Sequence, residues 1–206
     1  MFPIAVLASG RGSNLEAILE AQKSNHLNAQ VAAVISDNPK ARALKVAQEF
    51  GINNYALDFA LFKNKEEYNR SLIKLLKETK IQLVVLAGYM RLLSPSVVGA
   101  FPNKIINIHP SLLPAFPGLN AQKQALDYGV KYTGCTVHFV DKEMDTGPII
   151  GQKVVPVLAG DTLEELTCRI LKEEHALYPQ VINWIAANKV SIINRKVSVQ
   201  GEEKLL

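Results

Sequence analysis

Apolar stretches alternating with helical patterns limit what this chain can fold into. Residues 4–8, 31–35, 83–87 and 105–109 read as buried strands, and 54–57 as a shorter one. Continuous apolar strands of this kind belong to sheets covered on both faces. Between them lie helical patterns at 14–24, with Leu15, Ile18 and Leu19 on one face, at 41–50, ended by Gly51, and at 65–79 with Leu72, Ile73, Leu75 and Leu76. Ser94-Pro95 starts another short helix, Ser as cap and Pro in the first turn. The alternation predicts an α/β fold: a Rossmann-like, mostly parallel central sheet with right-handed crossovers and helices on both faces. Beyond residue 109 the pattern changes. A helix at 121–128 is closed by Gly129, and strands at 133–140 and 149–157 flank a polar loop, 141–148. This half predicts an antiparallel portion. Asp161-Thr162-Leu163-Glu164 reads as a capping-box start to a helix running towards Ala187, with Pro179 expected to kink or divide it. Residues 190–199 suit a hairpin around Asn194-Arg195. With no repeat, linker or low-complexity segment, residues 1–206 are expected to form one domain.

The stretch richest in chemistry is Ile105-Ile106-Asn107-Ile108-His109-Pro110-Ser111-Leu112-Leu113-Pro114. It opens as a strand, and Pro110 and Pro114 then forbid further ladder bonds. Asn107 and His109, two apart, project from the same face. An amide donor and an imidazole thus sit together where the strand ends, the edge at which open parallel sheets bind ligands. A lone His would be read as a structural polar residue; two polar residues on one face of an apolar strand favour a site.

Other segments carry weaker signals. Gly10-Arg11-Gly12-Ser13-Asn14 follows the first strand and opens a helix, whose free N–H groups make an anion site. Leu15 stands where the dinucleotide fingerprint needs a third Gly, and Ser13 with Glu16 also fits a plain capping box. Acidic loops often serve only solubility. In 141–148, however, Gly147-Pro148 stiffens the exit, so Asp145 can face the sheet end, orient His109 and complement its charge. His109, His138 and Asp145 are a conceivable two-His-one-carboxylate metal set, but no ligand spacing supports it, and His138 is expected to sit within the later strand. Neither Ser111 nor either Cys has the context of a nucleophile. Glu174-His175 lies in the last helix, where charged pairs usually face solvent.

Composition narrows the classes. Of 206 residues 48% are hydrophobic and 20% charged, enough for a packed core and against disorder. The net charge of +4 comes without a long basic run, which suits small anionic substrates better than nucleic acid. Cys135 and Cys168 match no zinc or redox spacing, so a reduced, cytoplasmic setting is expected. The apolar start is short and lacks a basic flank, so neither a signal peptide nor a spanning helix is expected.

Five segments, in order, carry a family resemblance: Gly10-Arg11-Gly12-Ser13-Asn14-Leu15, Leu86-Ala87-Gly88-Tyr89-Met90-Arg91, the 107–114 motif, Thr136-Val137-His138-Phe139-Val140 and Asp145-Thr146-Gly147-Pro148. From Ile4 to about Ala187 the chain closely resembles the folate-dependent formyltransferases. The Gly-Ser-Asn loop and the short length narrow the resemblance to the branch acting on glycinamide ribonucleotide in purine synthesis. The resemblance implies that Gly12, Ser13 and Asn14 take that substrate's phosphate, and that Glu174 holds the same ligand. It implies that Lys65, Met90, Arg91, Leu92 and Leu93, with Asn107 and with Asp141, Lys142, Glu143, Met144 and Asp145, bind the co-substrate 10-formyltetrahydrofolate. Asn107, His109 and Asp145 would carry the chemistry, without metal, nucleic acid or membrane, in a monomer or homodimer. Lys65, Gln122 and Tyr89 depart from the usual Arg, His and Phe; a bidentate contact at Lys65 is expected to be weakened, which bears on affinity and not on reaction type. Three competitors share features. A formyltetrahydrofolate hydrolase usually has an extra N-terminal domain, and a methionyl-tRNA formyltransferase an added C-terminal one. A non-catalytic nucleotide-binding module would not need Asn107, His109 and Asp145 together.

Overall fold

Strand β1 (Phe2–Leu7) directs Ile4 and Val6 to one hydrophobic cluster and Ala5 and Leu7 to another, as the two-residue period of a strand requires. All four side chains are fully buried, so both faces of the sheet are covered. The computed structural model describes residues 1–201. In it α1 (Ser13–Lys23), α2 (Arg42–Glu49) and α6 (Leu163–Ala186) cover the Ile4/Val6 face, and α3 (Lys65–Glu78) and α4 (Pro95–Ala100) the other.

The remaining strands of the main sheet are β2 (Ala29–Ser36), β3 (Asn54–Ala56), β4 (Leu83–Leu86), β5 (Ile105–His109), β6 (Tyr132–Phe139) and β7 (Ile149–Pro156). Their order is β3-β2-β1-β4-β5-β6-β7. Every pair from β3 to β5 is parallel, whereas β5–β6 and β6–β7 are antiparallel. The fold is therefore α/β and Rossmann-like, with an antiparallel portion in its C-terminal half. Chain order reverses between β1 and β4, which opens a crevice at the strands' carboxyl ends. Strand β5 sits beside that crevice, parallel to β4 and antiparallel to β6, so its parallel environment is one-sided. Helix α5 (Ala121–Tyr128) connects β5 to β6, and β8 (Val190–Ile193) and β9 (Lys196–Val199) form the expected hairpin.

Three local expectations need correction. Helix α1 is not opened by a Ser13/Glu16 box: its N-cap is Gly12, at φ 80°, with no side-chain cap bond, and Glu16 pairs with Arg42 at 3.2 Å. The box at α6 lies one residue later than expected. Thr162 Oγ1 accepts from the Glu165 N–H at 3.2 Å, and Glu165 accepts from the Thr162 N–H at 2.8 Å. Asp161 is left to pair with Arg169 at 2.7 Å. Pro179 does not divide α6, which continues through it to Ala186; tertiary burial outweighs one missing helical bond, since Leu177, Tyr178, Pro179, Val181 and Ile182 are all buried. Among the described residues no helix is long and apolar enough to cross a membrane.

Tyr178 ties α6 to the part of the sheet that carries the site. Its buried hydroxyl donates to the Leu86 carbonyl, at the end of β4, at 2.9 Å and approaches the Ile106 carbonyl, near the start of β5, at 3.2 Å. Removing it in Tyr178→Phe is expected to lower unfolding free energy by ~1 kcal/mol, checked by urea denaturation with the slope unchanged.

Candidate functional site

Three loops leave the sheet side by side. After β1 the chain turns through Ser9–Gly12; after β4 it turns at Gly88; after β5 it enters the rigid 110–120 loop. Ser9 joins the first two: its N–H donates to the Gly88 carbonyl at 3.0 Å, and its hydroxyl accepts from the Met90 N–H at 2.8 Å. Gly12 needs to be glycine. Its φ is positive, and a Cβ there would stand 3.0 Å from Ala43. Among the described residues the N-terminus of α1 has no side-chain cap, so it keeps the uncapped N–H groups of a helix start.

Asn14 and Glu174, 160 residues apart, meet there. The Asn14 amide donates to the Glu174 carboxylate at 2.7 Å, and both side chains are buried. Asn14 Oδ1 has no partner among the described residues. Burial raises the Glu174 pKa to about 6, and the Asn14 hydrogen bond opposes that rise. The expectation of a solvated Glu174-His175 pair is thus wrong for Glu174, because α6 turns that side chain inward onto α1.

On β5, Ile106 and Ile108 enter the cluster under α6, whereas Ile105 enters the opposite one. Asn107 and His109 therefore share the Ile105 face. The antiparallel register sets Asn107 opposite His138 and His109 opposite Thr136. His138 was expected to be a plain strand residue; it does lie in β6, but its side chain belongs to this group. Its Nδ1–H donates to the Phe139 carbonyl at 2.8 Å, and burial lowers its pKa. A neutral ring protonated at Nδ1 has an accepting Nε2, to which the Asn107 amide donates at 3.3 Å. That fixes which end of the Asn107 amide is nitrogen and leaves its second N–H free. The sequence points to His138 through the 136–140 segment and the His109, His138 and Asp145 set, but its pairing with Asn107 is readable only once the register with β5 is known.

Asp145 arrives from the 141–148 loop. Its Oδ2 lies 3.4 Å from His109 Nδ1 and accepts from the Gly118 N–H at 2.8 Å. Its Oδ1 lies 3.7 Å from His138 Nε2; because burial keeps His138 neutral, this approach is a packing contact and not an ion pair. His109 Nε2 is 2.8 Å from the Phe116 carbonyl. Both ring nitrogens of His109 thus face oxygens, an arrangement that a doubly protonated imidazole satisfies in full. Thr136 braces the loop beyond: its hydroxyl donates to the Ser111 carbonyl at 2.7 Å and accepts from the Leu113 N–H at 3.1 Å.

The residues expected to bind the co-substrate divide between two clefts. Lys65 and Met90–Leu93, with Phe59, Tyr68, Asn69 and Tyr89, line one of about 320 Å³. Met144 and Asp145 line another of about 360 Å³, with Leu113, Pro114 and Arg195 among its walls. Asp141 serves its own loop, accepting from Thr146 Oγ1 at 2.7 Å, while Lys142 and Glu143 are exposed. In the first cleft Arg91 stacks 3.7 Å from the Phe59 ring centroid and pairs with Asp37 at 2.8 Å. The Tyr89 hydroxyl, which a Phe would lack, meets that of Tyr68 at 2.5 Å. Met90 and Leu92 are exposed apolar side chains at the rim. Among the described residues no group of three His, Cys, Asp or Glu is arranged to hold a metal ion.

Residues 3–182 match the family described as formyl transferase. The chain is 43% identical over 199 residues to phosphoribosylglycinamide formyltransferase of Escherichia coli (strain K12), covering 97% of this chain and 94% of that protein. It is 46% identical over 185 residues to the Bacillus subtilis (strain 168) protein of the same name, covering 90% and 95%. It superposes on the crystal structure of glycinamide ribonucleotide transformylase 1 from Symbiobacterium toebii with a TM-score of 0.95 and 48% identity, over 97% of this chain and 94% of that one.

The buried Glu174 carboxylate gives a test of the crevice. Its raised pKa means that the folded state holds this proton more tightly than the unfolded chain does. Relative to a neutral isostere, stability is retained below pH 4.5 and lost as pH rises through about 6. Glu174→Gln keeps an acceptor for Asn14 and is expected to be more stable than wild type by ~2 kcal/mol at pH 8. The difference should vanish below pH 4.5, as measured by denaturant titrations across that range.

Proposed function

The chain belongs to the formyl transferase family, and from that premise we propose that it formylates the amine of N1-(5-phosphoribosyl)glycinamide from 10-formyltetrahydrofolate, in the cytoplasm, as one domain spanning residues 1–206. The observation that carries the reading is the grouping of Asn107, His109 and Asp145 at the end of β5, beside a helix N-terminus suited to a phosphate. The relatives that match nearly end to end bear the name of this activity.

The phosphate is assigned to the backbone N–H groups of Gly12, Ser13 and Asn14, where a helix start favours negative charge. Glu174, held by Asn14 at 2.7 Å, accepts hydrogen bonds from hydroxyls of the same ligand. The cleft at Lys65 and Met90–Leu93 suits a flat apolar ring with an anionic tail: Met90 and Leu92 offer apolar surface, and Lys65 a cation. Met144 and Asp145 approach from the opposite loop.

The co-substrate supplies an activated formyl carbon; the protein supplies orientation and proton handling. The free N–H of the Asn107 amide donates to the formyl oxygen as negative charge develops there, with its direction preset by His138. His109, with its Nε2 edge held by Phe116 and its Nδ1 edge facing Asp145, adds positive charge beside that oxygen. The attacking amine loses a proton, and the departing folate nitrogen gains one. His109 and Asp145 carry this proton between them, with no covalent enzyme species required.

The test offers glycinamide ribonucleotide, water alone and methionyl-tRNA as acceptors in turn. Turnover with the first alone is expected. Hydrolysis as the faster reaction would reassign the chain to the hydrolases, and no transfer at all would leave a binding module. Asp145→Asn keeps shape and removes charge, so kcat is expected to fall ~10²-fold with both substrate Kd values little changed. Near-normal turnover in that variant would make Asp145 a structural residue.

A further inference from the structure

The terminal hairpin has no part in the reading above, yet it reaches the loop that carries Asp145. Arg195, in the turn between β8 and β9, donates from its guanidinium to the Thr146 carbonyl, 49 residues away in sequence. We infer that Arg195 is a positioning residue: by holding the Thr146 carbonyl it keeps the 141–148 loop in the conformation that aims the Asp145 carboxylate at His109. This rests on the assignment of Asp145 as the proton-transfer partner.

The loop conformation needs holding. Asp145 lies at φ 56°, the left-handed region, which costs a non-glycine residue ~1 kcal/mol or more. Such a conformation persists only where the surroundings over-determine it. Three other constraints are visible. The Gly118 N–H grips the carboxylate itself at 2.8 Å. The Thr146 hydroxyl is tied back to Asp141 at 2.7 Å. Gly147 lies so close to β6 that a Cβ would come within 1.7 Å of the Phe139 carbonyl. These fix the carboxylate, the Thr146 side chain and the loop exit. The Thr146 carbonyl, one peptide beyond Asp145, is the remaining handle, and Arg195 takes it.

The hairpin is a firm base for that contact. Val190, Ile192 and Val197 pack against the core cluster under α6. Asn194 adopts φ 58° to close the turn, which places Arg195 at its tip. Arg195 also walls the 360 Å³ cleft that Asp145 and Met144 line. The guanidinium therefore holds the loop through its backbone, from a hairpin seated on the core.

The test compares Arg195→Met, which keeps the aliphatic stem but removes the donor, with Arg195→Lys, which keeps a donor. Each is made in the wild-type and Asp145→Asn backgrounds. Arg195→Met is expected to lower kcat ~10-fold with Kd for both substrates within ~2-fold, because small displacements of a catalytic group cost rate and not binding. Arg195→Lys should recover most of that loss. In the Asp145→Asn background Arg195→Met should cost almost nothing further, since the residue it positions is already disabled. Unchanged kcat in Arg195→Met overturns the inference, and so does an equal loss in both backgrounds, which would mark a structural effect. Thermal melts of all variants identify loss of fold; if Arg195→Met is unfolded at the assay temperature, Arg195→Ala decides, a kcat loss that vanishes in the Asp145→Asn background supporting the inference and an unchanged kcat, or a loss repeated in that background, overturning it. Wild-type turnover in Asp145→Asn by itself would instead sink the role given to Asp145.

Discussion

The antiparallel register between β5 and β6 is the constraint from which the rest of the site follows. It sets Asn107 against His138 and His109 against Thr136 on one face of the sheet. A shift of one residue would turn all four side chains to other neighbours and bury the wrong set under α6. From that register come the orientation of the Asn107 amide and the brace that Thr136 gives the 111–113 turn. Parallel strands on the other side supply a second requirement, because β1 and β4 must end beside β5 for the crevice to exist.

The site is built from polar groups taken out of water, and each is compensated differently. His138 is kept neutral and satisfied at both nitrogens. Glu174 keeps one strong hydrogen bond and a raised pKa. Among the described residues Asn14 Oδ1 is left without a partner, a cost of the kind proteins tolerate where a ligand is to be bound. Asp145 sits in a left-handed conformation held from several directions. Stability is thus lowered at several points around one crevice, while the apolar clusters on both sheet faces make up the difference.

Two clefts flank this polar group instead of one. The cleft at Lys65 and Met90–Leu93 is built on the β4 exit and α3, and the other on the 141–148 loop and the hairpin turn. The Asp145 loop and the loop leaving β5, through Leu113 and Pro114, both wall the second cleft. Its contacts reach Gly118, His109 and Arg195, so three separate stretches of chain meet on a single short loop.

The strands, most helices and the sharing of a face by Asn107 and His109 are legible in the residues alone, because these follow from local periodicity and from Pro110 ending the strand. Strand β5 and helix α5 fall where the sequence places them, at 105–109 and 121–128. Local signals misled where two patterns competed: Ser13 and Glu16 spell a cap, but Gly12 takes the N-cap position and Glu16 pairs with Arg42. The family resemblance named Asp145 and Glu174, yet nothing local could say that Glu174 turns inward to Asn14 or that Asp145 comes within 3.4 Å of His109. The parts of His138 and Arg195 emerge with the folded chain alone. Each acts across a gap of 31 or 49 residues, closed in one case by strand register and in the other by a hairpin seated on the core; contacts of that kind leave no period in the sequence.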